Sequence, residues 1–172
     1  MTRLSSYLLV VAALAVAPAS AHITLESREA SIGTAYKAVF VVPHGCAGSP
    51  TIRLHVQIPD GVIALEAKSP AGWNVATTKG KYADAYDYQG GRVSEGIKEV
   101  DWSGGKLPDK TRETFVIDTF LTDTLKPNTT LYFPVVQECE QGVSRWIEIP
   151  TDDAHPHDSK RPAPGVKLLP KQ

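Results

Sequence analysis

Five histidines carry most of the chemistry this sequence offers. Imidazole is the commonest metal-ligating side chain and changes charge near neutral pH. His22 follows directly on Ala19-Ser20-Ala21, the small-x-small pattern at which signal peptidases cut. Cleavage there frees an α-amino group on a histidine. The amine and the ring Nδ1 of that one residue then chelate a single metal ion, and any other cleavage site destroys the arrangement. His44 follows Pro43 at the end of a β-branched and aromatic run. If residues 22–28 and 36–42 pair as an antiparallel hairpin about Gly33, His22 comes level with His44. That brings the amine and two imidazoles to one end of a sheet. His55 sits on the polar face of an alternating strand and reads as a solvated surface residue. His155 and His157 form His-Pro-His beside Asp152, Asp153 and Asp158, a tract that holds metal weakly.

Few ligands, nitrogen donors and a chelating terminus favour Cu(II), which also tops the divalent affinity order. Met1 is the only methionine, so a thioether-rich Cu(I) site is excluded after cleavage. The amino-terminal Cu–Ni motif needs histidine in third place and is absent, because the mature start reads His22-Ile23-Thr24. Trp146 lies opposite Ile147 and Ile149 on an alternating segment. By pattern alone it either packs in a second layer or lines a site, where a large ring excludes water and interacts with a cation.

The elements that must position these residues are strands. Thirteen Gly and thirteen Pro in 172 residues suit short strands and frequent turns better than a helical bundle. Period-2 patterns cover Tyr36 to Val42, Thr51 to Ile58, Val62 to Ala67, Trp73 to Thr77, Lys98 to Trp102, Thr114 to Leu121, Thr130 to Val136 and Ser144 to Ile149. Turn signals separate them at Pro59-Asp60-Gly61, Pro70-Ala71-Gly72, Gly90-Gly91, Gly104-Gly105, Lys126-Pro127-Asn128 and Gln141-Gly142. This predicts an all-β fold, an antiparallel β-sandwich of immunoglobulin or fibronectin-III type. A small barrel is the alternative.

Residues 1–21 read as a leader, with Arg3 ahead of an apolar stretch from Tyr7 to Val16. That stretch is too short for a bilayer span. The expected organisation is a leader over 1–21, a copper-binding sandwich over 22–150 and an extended tail over 151–172. The tail is expected to dock on the domain as an edge strand. With 18 Lys+Arg against 19 Asp+Glu, the chain has no electrostatic footprint for nucleic acid. Export to an oxidising compartment, periplasmic or extracellular, favours a disulfide between Cys46 and Cys139. Two reactive thiols are the alternative.

Several segments together resemble the YcnI-like family of exported copper-binding proteins. They are His22-Ile23-Thr24, Val42-Pro43-His44-Gly45-Cys46, Pro70-Ala71-Gly72-Trp73 and Trp102-Ser103-Gly104-Gly105-Lys106-Leu107-Pro108. Phe133-Pro134-Val135-Val136-Gln137 with Cys139, Trp146-Ile147-Glu148-Ile149-Pro150 and Pro162-Ala163-Pro164 complete the set. The resemblance implies a β-sandwich binding Cu(II) through the N-terminal histidine, a histidine brace. It also implies a tryptophan close to the metal, carried here to Trp146. A role in copper handling beside a membrane copper transporter or another copper-handling protein follows from it. Some family members complete the site with an acidic residue on the loop after the second strand. Here that loop reads His44-Gly45-Cys46-Ala47-Gly48 and has none, so His44 is the natural substitute.

The expected function is therefore a Cu(II)-binding chaperone or scavenger, not an enzyme. A copper-dependent polysaccharide monooxygenase, which also uses an N-terminal histidine on a β-sandwich, is one alternative. A metal-free immunoglobulin-like interaction module is the other.

Overall fold

The computed structural model describes residues 22–150 and 160–172; among these the chain forms twelve strands and no helix. In order they are β1 (Thr24–Leu25), β2 (Glu29–Ser31), β3 (Thr34–Val42), β4 (Thr51–Gln57), β5 (Val62–Lys68) and β6 (Asn74–Tyr88). Then come β7 (Gly91–Leu107), β8 (Glu113–Leu121), β9 (Thr130–Tyr132), β10 (Val135–Cys139), β11 (Val143–Trp146) and β12 (Gly165–Leu169). The larger sheet runs β1-β3-β8-β5-β7-β4-β10-β11, with β6 paired to β7 off that path. Its pairings are all antiparallel. A second sheet of β2, β12 and β9 is mixed, because β12 runs parallel to β2 and antiparallel to β9.

Alternation decides which side chains enter the core. On β3, Ala38, Phe40 and Val42 point inward; on β8, Phe115, Ile117 and Leu121 do the same. They meet Leu54 and Val56 of β4, Trp102 of β7 and Val135 of β10 in one cluster. Phe40 packs edge-on against Phe133, and Phe115 lies between Trp73 and Trp102. The result is the antiparallel β-sandwich that the alternation predicts. Its larger sheet curls until its ends meet, since His22 precedes the first strand of the path and Trp146 closes the last.

The structure corrects several local expectations. Gly104-Gly105 is a bulge inside β7, not a turn: Ser103 pairs with Arg53 but Leu107 with Thr51, so β7 carries extra residues. The φ of +78° at Gly104 permits that bend. The same irregularity turns Thr51 fully inward and leaves Ile52 half-buried. Strands β6 and β7 outrun the expected segments by many residues, their outer halves meeting in a separate small cluster of Ile63, Tyr82 and Tyr86. The run from Thr130 to Val136 splits at Pro134, which has no N–H for a ladder. The halves enter different sheets, β9 beside β12 and β10 beside β4. On the last run Trp146 is the buried residue, while Ile147 and Ile149 are exposed. Finally, β12 is the central strand of its sheet rather than an edge, with Val166 and Leu168 fully buried.

Candidate metal centre

β1 places His22. Thr24 pairs with Val41 and Leu25 with Phe40, a register that carried two residues further sets His22 level with Pro43, beside His44. This is one residue from the hairpin register expected from sequence. Ile23 and Leu25, both buried, anchor the segment on either side of Thr24. The half-buried His22 ring stands edge-on to Trp146, with centroids 5.5 Å apart and planes at 84°.

Trp146 ends β11 and is buried. Its indole N–H donates to Gln137 Oε1 at 3.0 Å. Gln137 Nε2 donates in turn to the carbonyl of His44 at 2.8 Å and to Thr51 Oγ1 at 2.7 Å. One buried side chain thus connects β11, β4 and the His44 loop.

The loop itself is held from several sides. Cys46 is joined to Cys139 at the end of β10, across 93 residues. Gly45 N–H donates to Asp109 Oδ1 at 3.1 Å. A Cβ at Gly45 would lie 1.9 Å from the Ser49 carbonyl oxygen, so only glycine fits there. The half-buried His44 turns Nδ1 toward the Gly45 carbonyl. A carbonyl only accepts, so Nδ1 carries the proton, as it does in histidines that ligate a metal through Nε2.

Two grooves border His22. One, of about 330 Å³, is lined by Glu26, Arg28, Val41, Pro43 and Arg112 among others. The other, of about 430 Å³, runs past Tyr132 and Pro162 to Gly165. Glu26 therefore flanks His22, whereas Glu148 turns away to accept from the Arg161 N–H. His155 and His157 lie outside the described residues. His55 is more than a solvated surface residue: its Nδ1 lies 2.8 Å from Asp101 Oδ2.

Among the described residues, no three His, Cys, Asp or Glu side chains converge to hold a metal ion. A brace does not require three, since its remaining donor is the backbone amine of His22. In the uncleaved chain that nitrogen is an amide and donates no lone pair. By type, His22 and His44 would offer two imidazoles and, after cleavage, one amine, donors that suit Cu(II). Sequence reasoning missed Gln137 and Asp109. Gln137 stands in an alternating strand where a buried polar residue breaks the expected pattern, and that break was the available signal. Asp109 lies in a turn far along the chain and carried none.

No curated protein is similar to this chain. Among solved structures, the chain resembles an uncharacterized protein from Nocardia farcinica whose crystal structure reveals an immunoglobulin-like fold. The TM-score is 0.63 at 20% identity, covering 87% of this chain and 99% of that one. The likeness shows the sandwich to be immunoglobulin-like. Among the described residues no helix is long and apolar enough to cross a membrane. A family model matches residues 22–168, from the histidine at the seam into β12, and the chain belongs to that family, DUF1775, a domain of unknown function.

Proposed function

We propose that the mature protein begins at His22 and is an exported, periplasmic or secreted carrier of Cu(II). The His22 amine, His22 Nδ1 and His44 Nε2 are its ligands, with Trp146 as the hydrophobic wall. The carried ion passes to or from a membrane copper transporter or another copper-handling protein. The observation that carries the reading is the edge-on contact of His22 with a buried Trp146 whose indole is tied, through Gln137, to the His44 loop. His22 and Trp146, 124 residues apart in sequence, meet at one seam, and His22 directly follows a peptidase cleavage pattern. The resemblance to exported copper-binding proteins supports the same choice of metal.

The test is calorimetric titration of Cu(II) into protein processed at Ala21, alongside electron paramagnetic resonance. Outer-shell substitutions at metal sites weaken affinity about 10–100-fold, so His22→Ala, which removes the ring donor and with it the chelate while keeping the amine, should cost at least about 100-fold. Affinity should fall on acidification as protons compete for the amine and both rings. Unchanged affinity in His22→Ala, or in protein that retains its leader, sinks the reading. A metal-free immunoglobulin-like module would then account for the seam, with the His22–Trp146 contact as sheet closure and the exposed Ile147 and Ile149 as its contact surface.

A further inference from the structure

A fully buried glutamine in an apolar cluster calls for a reason. Gln137 is 1% exposed, and both of its amide hydrogens and its oxygen are directed to named partners. Its amide orientation is not arbitrary. The indole N–H of Trp146 only donates, so it must face Oε1. The His44 carbonyl only accepts, so it must face Nε2. A group that accepts at one oxygen and donates twice from the adjacent nitrogen, at this reach, is a glutamine amide. An ionised Glu would present an acceptor to the His44 carbonyl, and Met or Leu would present nothing.

From this we infer that Gln137 is a positioning residue for the His22–His44 centre. It turns the indole N–H inward, which sets the ring that stands 5.5 Å from the His22 ring, and it fixes the backbone of His44 from the same side chain. Neither effect follows from apolar packing, because burying the Trp146 N–H without a partner is costly. The disulfide from Cys46 to Cys139 ties the same loop to the same strand, two residues along each. Gln137 orients within that clamp rather than forming it. The inference rests on the copper reading for its purpose, but its geometric content stands apart from the metal.

The experiment compares Gln137→Met with Thr51→Val in protein processed to His22. Methionine keeps the volume and the burial but makes neither bond. Valine removes a Gln137 partner yet leaves the link from Trp146 to His44 intact. In metal-free protein, the His22 ring protons should carry a ring-current shift from Trp146, read by NMR. That shift should be lost in Gln137→Met and retained in Thr51→Val. With Cu(II), Gln137→Met should bind about 10–100-fold more weakly than wild type and lose tryptophan quenching, with both histidines present. A shift that survives in Gln137→Met, or is lost equally in Thr51→Val, overturns the inference. Should Gln137→Met fail to fold, the wild-type indole N–H of Trp146 decides: slow exchange with solvent deuterium supports the bond to Gln137, and exchange as fast as free indole overturns it. If wild type captures no Cu(II), the copper reading fails alone, and the metal-free shift still decides whether Gln137 positions the pair.

Discussion

Asp101 shows how one residue on the outer face of a sandwich acquires a pH signature. It sits on β7 opposite His55 of β4, with Arg53 two residues along the same face. Burial pushes its carboxyl upward, but hydrogen bonds from Arg53 and His55, together with their charges, outweigh burial and hold it below its ordinary value. Glu138 of β10 approaches Arg53 from the far side at 3.8 Å. A carboxyl depressed in the folded state stabilises it fully above the unfolded value and loses that contribution as pH falls through the folded one. The window therefore opens near pH ~4, the ordinary Asp value, and extends downward. A partly exposed pair is worth about 0.2–1 kcal/mol, so Asp101→Asn should lower Tm at pH 7 by at most about 4 °C. The gap to wild type should close as the pH falls below the carboxylate range. Parallel melting curves across that range would remove Asp101 from the acid response. At this same scale the sequence exposed half of the candidate centre. His22 and His44 stand out as rare residues at strand ends, and hairpin symmetry predicts a pairing that the observed register, which sets His22 level with Pro43, misses by one residue. Asp109 was hidden because its partner Gly45 lies 64 residues away, whereas Gln137 left only the break in alternation as a trace.

Among elements, the long β6–β7 hairpin shows how glycine places bulk elsewhere. Its base is pinned where the Pro70-Ala71-Gly72 turn lays Trp73 over Gly105. A Cβ on Gly105 would fall 2.3 Å from the Trp73 ring, itself buried edge-on to Phe115. Gly105→Ala should therefore displace Trp73 and cost about 1–3 kcal/mol, the usual penalty of overpacking. Gly91→Ala, whose nearest neighbour would be a carbonyl oxygen at 3.8 Å, serves as the control and should leave urea midpoints almost unchanged. Equal midpoints for the two variants would show that Trp73 yields freely. Strands such as β3, β4 and β8 were readable in sequence because one face is buried and the other wet, which writes the period of two directly. The outer halves of β6 and β7 were not readable. They are held by each other's backbones and by a small cluster in which Tyr82 and Tyr86 meet Ile63 of β5, a partner far along the chain. The run expected to reach Ile149 stops at Trp146, where the backbone leaves the ladder and alternation loses its meaning.

For the molecule as a whole, the chain's last strand completes both the fold and the surroundings of His22. β12 fills the gap between β2 and β9 and sends Val166 and Leu168 into the same cluster as Ile23 and Leu25 of the β1 segment. Its backbone satisfies scattered loops as well: the Leu168 carbonyl accepts from Asn128, and the Lys167 N–H donates to Arg28. The groove beside His22 is walled at its far end by Pro164 and Gly165. A segment that looks like a tail in sequence thus acts as a keystone between β2 and β9. Leu168→Ala should consequently destabilise the entire domain by about 2–5 kcal/mol, as for other buried leucines. In a chain of this size that lowers Tm by roughly 2–4 °C per kcal/mol. Leu65 of β5, 43% exposed, is the fair comparison, and Leu65→Ala should stay within about 0.5 kcal/mol of wild type. The denaturant slope should remain that of the full domain in both, because β12 unfolds with the core rather than ahead of it. A Leu168→Ala protein that melts in two steps, with β12 detaching while the sandwich persists, would reduce the strand to an appendage.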